Sequence, residues 1–218
     1  MKHTITHSRH GLRQPFFIFH FSFFIFLLTA CGGDDVPQPK PKAYLRIDLP
    51  KPQYAMVDTV RTPDSLGGIA FPAPFFFEMN GQALITKAKS NAKGAAIEIC
   101  YPEWNGYVEL MYKHLNGRDD LQPQVDTAMR MVAYHEQKSS GIPEDFVQIP
   151  SNRVYALVWH INGREVASTY QFIATDSTDN FLHGEIIINQ TPNNDSLAPM
   201  INYMQADVDH LIQTLRWR

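Results

Sequence analysis

An apolar block near the N-terminus ends at a cysteine, and this arrangement constrains the chain more than any other feature. The first 15 residues contain three basic residues and no acidic residue, and residues 16–28 form the apolar block. A basic segment followed by such a block is typical of a secretory signal peptide. A helix over this block would rise only about 20 Å, whereas a hydrocarbon core is about 30 Å thick. We therefore expect residues 1–30 to be a cleaved signal peptide and not a permanent membrane anchor.

The four residues Leu28-Thr29-Ala30-Cys31 resemble the lipobox of bacterial lipoproteins. In those proteins the cysteine is acylated with fatty acids such as palmitate and becomes the first residue of the mature chain. The resemblance implies that Cys31 is the lipid attachment site, and the alternative is an unmodified signal peptide with a cysteine close by. Gly32 stands where enterobacterial inner-membrane lipoproteins carry a retaining aspartate. We therefore expect an anchor in the cell envelope, in the outer membrane, with the leaflet left open.

A proline-rich segment follows the cysteine. Residues 31–42, CGGDDVPQPKPK, contain three prolines and no large apolar residue after Val36. Such a composition stays extended and solvated, so we expect a lipidated, flexible tether. Residues 1–30 hold three of the 19 basic residues and none of the 22 acidic ones, so cleavage changes the net charge from −3 to −6. This balance does not favour nucleic acid as a partner.

The first part of the remaining chain carries strand signals. The segment at 43–54 is too rich in proline for an inner strand and is expected at a sheet edge. The segment at 65–80 mixes glycine and proline with aromatic residues and is expected to enter the sheet late. The segments 95–103 and 107–115 are β-rich and partly alternating, which predicts a hairpin joined by Pro102 to Gly106.

A helix is predicted next, because the apolar residues change to helical spacing. We expect it over residues 121–138, with the Asp119-Asp120 pair as N-cap and Pro123 within the first turn. Residues 141–143, Gly-Ile-Pro, end this helix.

Four strands are predicted after this helix. They are expected at 145–150, 153–162, 165–175 and 179–189. Asn162-Gly163 is a strong signal for a two-residue turn between the second and the third of these strands.

The last predicted element is a helix with a continuous apolar stripe. We expect Asp195 or Ser196 to cap it and Pro199 to lie in its first turn. Strands, one helix, more strands and one helix predict that residues 43–218 form a single α+β domain, with a largely antiparallel sheet and two packed helices. The stripe consists of Leu197, Ile201, Met204, Val208, Leu211, Ile212 and Leu215.

No catalytic motif is recognisable in the sequence. It lacks a G-x-S-x-G elbow, a glycine-rich phosphate loop, an H-E-x-x-H helix and a C-x-x-C pair. Five histidines follow the tether and none is paired at ligand spacing, so neither a metal site nor a cofactor is expected. These histidines are His114, His135, His160, His183 and His210.

Two further features allow both a structural and a chemical interpretation. Cys100 is expected to be a small buried core residue of its strand, and a nucleophile paired with one of the histidines is the alternative. The turn at Asp176-Ser177-Thr178-Asp179 offers oxygen ligands for calcium, but its spacing is not that of a calcium loop. A capped hairpin turn is the favoured interpretation.

Three segments resemble a known family. They are YLRIDLP at 44–50, TDSTDNFLHGEI at 175–186 and NDSLAPMINYMQADVDHLIQTLRW at 194–217, all behind the lipobox. Together they are similar to the GldD gliding motility lipoproteins of Bacteroidetes. The resemblance implies a non-enzymatic, membrane-anchored lipoprotein that is needed for gliding and linked to type IX protein secretion. Its implied partners are proteins of that machinery, and no catalytic residue carries over.

Two other classes of function stay open at this point. A surface lipoprotein could bind glycan or peptide through exposed aromatic residues, with Tyr44, Tyr54, Trp104 and Tyr107 as the candidates. Packing at the core and its rim is the structural interpretation of the same residues. A hydrolase would need a pocket in which histidine and aspartate converge.

Overall fold

The computed structural model describes residues 49–58, 74–87 and 95–218. The predicted signal peptide, Cys31 and the tether lie outside these ranges. The described residues contain ten strands and two α-helices. In chain order these are β1 Tyr54–Asp58, β2 Phe75–Asn80, β3 Leu84–Lys87, β4 Ala95–Tyr101, β5 Gly106–His114, α1 Leu121–Ala133, β6 Glu144–Ile149, β7 Val154–His160, β8 Tyr170–Thr175, β9 Asn180–Ile188, α2 Asn194–Thr214 and β10 Arg216–Trp217.

The strands form two antiparallel sheets. The large sheet has seven strands in the order β3-β4-β5-β9-β8-β7-β6, and the small sheet has three in the order β1-β2-β10. All pairs are antiparallel. The fold is therefore α+β, as the sequence predicts. The described part of the late-entering segment forms β2, which belongs to the small sheet, and this division into two sheets was not predicted.

The predicted hairpin between 95–103 and 107–115 is confirmed. Strands β4 and β5 pair from Ala95 opposite Tyr112 to Tyr101 opposite Gly106. A 3-10 turn at Pro102–Trp104 joins them, and Asn105 takes the left-handed conformation that closes it, with φ of 50°. The proline fits the first position of this turn because its missing N–H is not needed there.

Helix α2 and the small sheet cover one face of the large sheet. The predicted apolar stripe is buried there, with Met204, Val208 and Leu211 in one core with both sheets. The predicted start is wrong, because α2 begins two residues before Ser196 and is preceded by Asn193 as N-cap. The backbone oxygen of Asn193 accepts the first helical bonds, from Ser196 and Leu197. Pro199 consequently lies inside the helix and not in its first turn.

Helix α1 packs on the opposite face and forms a second core with it. Ala128 and Val132 are buried there with Ile173 and Phe181 of the sheet. The helix ends at Ala133, so the predicted end at 138 is too late, and a separate 3-10 turn follows at 136–138.

Asp120 occupies the N-cap position of α1, and the helix begins at residue 121, both as predicted. The Asp120 side chain makes no capping hydrogen bond. Its carboxylate instead accepts a hydrogen bond from the backbone N–H of Asn116 at 3.3 Å and pairs with Lys113 at 3.3 Å. These two contacts satisfy the carboxylate on the side of the preceding strand.

Asn162-Gly163 does not form the predicted two-residue turn. Asn162 pairs with Gly141 in an isolated bridge, and β8 begins only at Tyr170. The longer connection buries Val166 in the second core. Asn194 fixes it there, because its Nδ2 donates to the backbone oxygens of Gly163 at 2.7 Å and of Val166 at 2.9 Å. A two-residue turn could not deliver an apolar side chain to this position.

A buried carboxylate joins α2 to both sheets. Asp207 of α2 accepts hydrogen bonds from Tyr54 OH at 2.8 Å, from Asn80 Nδ2 at 2.9 Å and from Tyr101 OH at 2.8 Å. These donors lie on β1, β2 and β4. Burial, and then the neighbouring carboxylate, raise the pKa of the Tyr54 and Tyr101 hydroxyls, so both stay protonated as donors. We call these four residues the Asp207 clamp.

We predict that Leu211→Asp destabilises the domain strongly. The substitution puts a carboxylate into the first core, which should cost several kcal/mol out of a total stability of about 5 to 15 kcal/mol. Urea unfolding followed by circular dichroism measures the change. Gln213→Asp, on the exposed side of the same helix, is the control and should change stability by less than about 0.5 kcal/mol. A fully stable Leu211→Asp variant would mean that the stripe faces a partner and not the core.

We also predict a graded response in the Asp207 clamp. Asp207→Ala leaves three donors, two of them buried, without their acceptor and should cost about 3 kcal/mol or more, whereas Tyr101→Phe removes one bond and should cost about 1 kcal/mol. Tyr155→Phe, on a half-buried tyrosine of β7, is the matched control and should be nearly neutral. Equal losses for Asp207→Ala and Tyr101→Phe in urea unfolding would contradict the clamp as one shared acceptor.

Candidate functional site

A row of polar side chains crosses the large sheet on the face that carries α1. Glu98 of β4 lies opposite Glu109 of β5, which lies opposite Glu185 of β9, which lies opposite Gln171 of β8. Glu98 and Glu109 are each 7% exposed and Gln171 is 1% exposed. Buried carboxylates are rare unless they have a specific role, so this row is the main candidate for a functional feature.

The row holds a proton near neutral pH. Burial, and then the negative charge of Glu109, raise the pKa of Glu185 to about 7. Gln171 Nε2 donates to Glu185 Oε2 at 3.4 Å and lies 3.2 Å from His135 Nε2. Burial also lowers the pKa of His135. The desolvated surroundings therefore favour the neutral form of both groups.

His183 lies two residues before Glu185 on the same face of β9. Its side chain is buried, and neither ring nitrogen has a hydrogen-bond partner among the residues that the structure describes. Burial lowers the pKa of His183 to about 4. The imidazole is therefore neutral at physiological pH, with one nitrogen as donor and the other as acceptor.

Two cavities lie between α1 and β9, next to these buried groups. One of about 260 Å³ contains His183 and Lys113, and the other of about 400 Å³ contains Glu185, Gln171 and His135. Thr127 and Met131 of α1 line both. We call the two cavities together the α1 groove. A groove with apolar walls and a few buried polar groups has the character of a binding site.

Exposed apolar side chains flank the same helix on its other side. Met129 of α1 is 49% exposed and Phe146 of β6 is 62% exposed. A cavity of about 400 Å³ lies between α1 and the β6 edge, lined by Met129, Ile142, Glu144 and Trp159. Phe146 follows Glu144 by two residues and so points to the same side of the sheet. We call Met129, Ile142 and Phe146 the apolar patch.

Cys100 is not the buried core residue that the sequence predicts. It is half-buried and lies on the same face as Glu98, opposite to Ile97 and Ile99, because side chains alternate along a strand. Its Sγ lies 3.2 Å from Thr86 Oγ1 and 3.9 Å from Glu98 Oε2. Among its described contacts there is no histidine that could act as a general base.

The other histidines lie in separate places. His210 Nε2 lies 2.7 Å from Glu78 Oε2 and its ring stacks on Tyr54. His160 Nε2 lies 3.1 Å from Asp145 Oδ2, and His114 is exposed at the end of β5. Within the described ranges, no three histidine, cysteine, aspartate or glutamate side chains converge as metal ligands would.

The polar turn at 176–179 is a capped hairpin turn between β8 and β9. Asp176 Oδ1 accepts hydrogen bonds from the backbone N–H groups of Thr178, Asp179 and Asn180 at 2.9 to 3.0 Å. Its Oδ2 accepts from Asn180 Nδ2 at 2.7 Å. The Asp176 carboxylate is thus occupied by its own turn, which is the favoured interpretation of the sequence.

The candidate aromatic residues are engaged in packing. Trp104 stacks on Tyr101 with ring centroids 5.4 Å apart and meets the edge of Tyr203 at 4.9 Å. Tyr54 belongs to the Asp207 clamp, and Tyr107 is half-buried on β5 next to the glutamate row. Tyr44 lies outside the described residues. One open cavity of about 250 Å³ does lie beside Trp104, with Gln82 and Glu103 in its lining.

The comparisons with known proteins identify a family. Residues 34–217 match the family described as gliding motility lipoprotein GldD. The solution structure of cyanobacterial PsbP (CyanoP) from Synechocystis sp. PCC 6803 is similar at 8% sequence identity with a TM-score of 0.45, covering 80% of this chain and 98% of that chain. No curated protein matches the chain. No helix in the described ranges combines the length and the apolar character that a membrane span needs.

We predict that Glu185→Gln stabilises the domain in a pH-dependent way. Because the folded-state pKa of Glu185 is raised from 4.5 to about 7, the folded protein holds the proton more tightly, and stability falls as the pH rises through this interval. Glutamine cannot ionise. The variant should therefore match the wild type near pH 4 and exceed it by on the order of 1 to 3 kcal/mol at pH 8.

Urea unfolding of both proteins at pH 4, 6 and 8 measures this difference. Glu165→Gln, on an exposed glutamate, is the control and should give the same small difference at every pH. A difference for Glu185→Gln that does not change with pH would contradict the raised pKa.

Proposed function

The chain belongs to the family of GldD gliding motility lipoproteins, and from this premise we propose that it is a non-enzymatic assembly component of the type IX secretion machinery, held in the outer membrane through Cys31. The observation that carries this proposal is the extent of the family match. It begins at residue 34, three residues after Cys31, and continues to residue 217. Most of the predicted tether and nearly all of the folded domain therefore lie within the match.

The proposed site of membrane attachment is the lipobox cysteine, Cys31. Membership in a lipoprotein family makes this chain a membrane-anchored protein of the cell envelope. A single acyl chain gives only weak and reversible attachment, whereas two or more hold a protein stably at the bilayer. The prolines of the tether would then keep the domain at a distance from the membrane, where it can contact a partner.

The apolar patch supports a role in assembly. Large apolar side chains on a surface of this kind are typical of protein interfaces, where a few buried anchors contribute most of the binding energy. Met129 and Phe146 are exposed, and Met129 and Ile142 line the adjacent cavity. We propose that a protein of the secretion machinery covers this patch with its own apolar side chains.

The surroundings of the candidate nucleophile support the non-enzymatic part of the proposal. A cysteine nucleophile needs a lowered pKa or an adjacent base. The described neighbours of Cys100 Sγ are the hydroxyl of Thr86 and the carboxylate of Glu98, and no histidine is among them.

A second candidate function is binding of glycan or peptide at the cell surface. The cavity beside Trp104 is the observation that favours it, because Gln82 and Glu103 offer polar groups next to an indole. The indole is already stacked on Tyr101, so we rank this function below the assembly role.

We predict that a deletion strain stops gliding and releases less type IX cargo, and that variants of the anchor and of the apolar patch fail to restore release. Cys31→Ala should leave the protein unprocessed or free of membranes. Phe146→Asp places a charge at an interface anchor and should reduce cargo in the medium at a normal protein level. Gln148→Asp, on the same exposed strand, is the control and should restore release fully.

The same strain distinguishes assembly from the other functions. Cys100→Ala and single His→Ala variants at the five histidines should restore cargo release wherever the variant folds. A normally folded Cys100 or histidine variant that behaves like the deletion would favour an enzyme or a metal site. If Trp104→Ala folds and is the one variant that does not restore cargo release, ligand binding is favoured. A deletion strain that secretes and glides normally would overturn the proposal.

A further inference from the structure

The cavity beside His183 has mainly apolar walls, and His183 is the one buried polar side chain of its lining that has no partner among the described residues. Its volume is about 260 Å³. Met111, Met131 and Phe181 supply the apolar surface, and Ala96 and Ala128 leave the space open. A cavity of this volume has room for a ring-sized group, and its walls favour an apolar one.

The other polar side chains that line this cavity already have partners, among them Tyr112, whose hydroxyl donates to Asn180 Oδ1 at 2.8 Å. Lys113 Nζ lies 3.3 Å from Asp120 Oδ1, and Gln124 Nε2 donates to the same oxygen at 3.5 Å. Thr127 Oγ1 donates to the backbone oxygen of Pro123 at 2.7 Å. The rim therefore offers no net charge to a ligand, which disfavours an anion or a cation inside the apolar cavity.

His183 is different, because it is 96% buried and neither ring nitrogen has a partner in the described part of the chain. Buried polar groups are almost always hydrogen-bonded, and an unpaired one is costly. The ring is neutral, since burial lowers its pKa to about 4, so it presents one donor and one acceptor. A hydroxyl group, which is also both donor and acceptor, complements either nitrogen.

We propose that the His183 cavity is a binding site for an uncharged, mainly apolar, ring-sized group that carries one hydroxyl, that is, a phenol-like group. The ring fills the space between Met111, Met131 and Phe181. The hydroxyl pairs with a ring nitrogen of His183 after a small movement of the imidazole, because both nitrogens are buried in the free protein. This chemistry has two sources, a free small molecule or the tyrosine side chain of a partner protein. The site is separate from the apolar patch and goes beyond the assembly role.

The test compares p-cresol with toluene, which differs from it only by the hydroxyl. The mature lipidated chain in detergent micelles is titrated with each compound, free concentrations are fixed by equilibrium dialysis, and binding is followed by NMR signals of the His183 ring and the Met131 methyl group. We expect saturable binding of p-cresol, about two- to tenfold tighter than toluene, which corresponds to one neutral hydrogen bond. Benzoate should bind more weakly than both, because its charge would be buried.

Two variants separate the hydroxyl contact from the cavity itself. His183→Phe should abolish the preference for p-cresol over toluene without lowering the midpoint of thermal unfolding, since it replaces an unpaired polar ring by an apolar one. Ala96→Leu should weaken the binding of both compounds, because the larger side chain fills the cavity. His114→Phe, on an exposed histidine, is the matched control and should leave both affinities unchanged.

The source of the ligand is tested with an amidated pentapeptide that carries one central tyrosine. Binding at least as tight as that of p-cresol supports a partner's tyrosine, and exclusion of the peptide with retained p-cresol binding supports a free small molecule. Equal affinities for p-cresol and toluene, tighter binding of benzoate, or no saturable binding of any compound would each overturn the proposal.

Discussion

The arrangement of the domain depends on the hydrogen bonds that the Asp207 carboxylate accepts. The small sheet and the large sheet share no hydrogen-bonded strand pair within the described ranges, so side-chain packing, as between Phe75 and Tyr112, and helix α2 join them. Apolar packing along its stripe supplies most of the free energy but little direction. Three hydrogen bonds to one buried carboxylate supply that direction, because they fix β1, β2 and β4 against a single turn of the helix. The clamp thus sets which surface of the small sheet faces the core.

The two faces of the large sheet are packed differently, as the alternating side chains of β9 show. Leu182 and Ile186 point to the face that α2 and the small sheet cover, whereas His183 and Glu185 point to the face of α1. Gly184 lies between them, where a Cβ atom would come within 2.1 Å of Phe172 Cε1. The glycine therefore lets the Phe172 ring lie against the β9 backbone, and the covered face closes tightly. The face of α1 keeps space for polar groups and ligands.

Local patterns predicted the elements well and their long-range partners poorly. The helical stripe from Leu197 to Leu215 and the alternation in β4 and β5 are encoded by neighbouring residues, so these elements were predictable. The side-chain partners of the N-cap residue Asp120 were not predictable, since its carboxylate pairs with Lys113 and Asn116 and caps no backbone N–H of the helix. The glutamate row depends on the register of four strands, which no single strand contains. Charged residues at alternate positions of otherwise apolar strands were the available signal. The family assignment came from matching segments and not from any site.

The same clamp has a consequence for the order in which the chain can fold. Tyr54 and its acceptor Asp207 are 153 residues apart, so the contact closes one of the longest loops available to the domain. Contacts of such separation form late and slow the folding rate, because the loop must be closed before the bonds compensate for the lost chain entropy. Until α2 has been synthesised, the first core lacks both its apolar stripe and the acceptor for three donors. The domain is therefore expected to remain an open chain during most of its translation, which is the state that passage through a membrane requires of an exported protein.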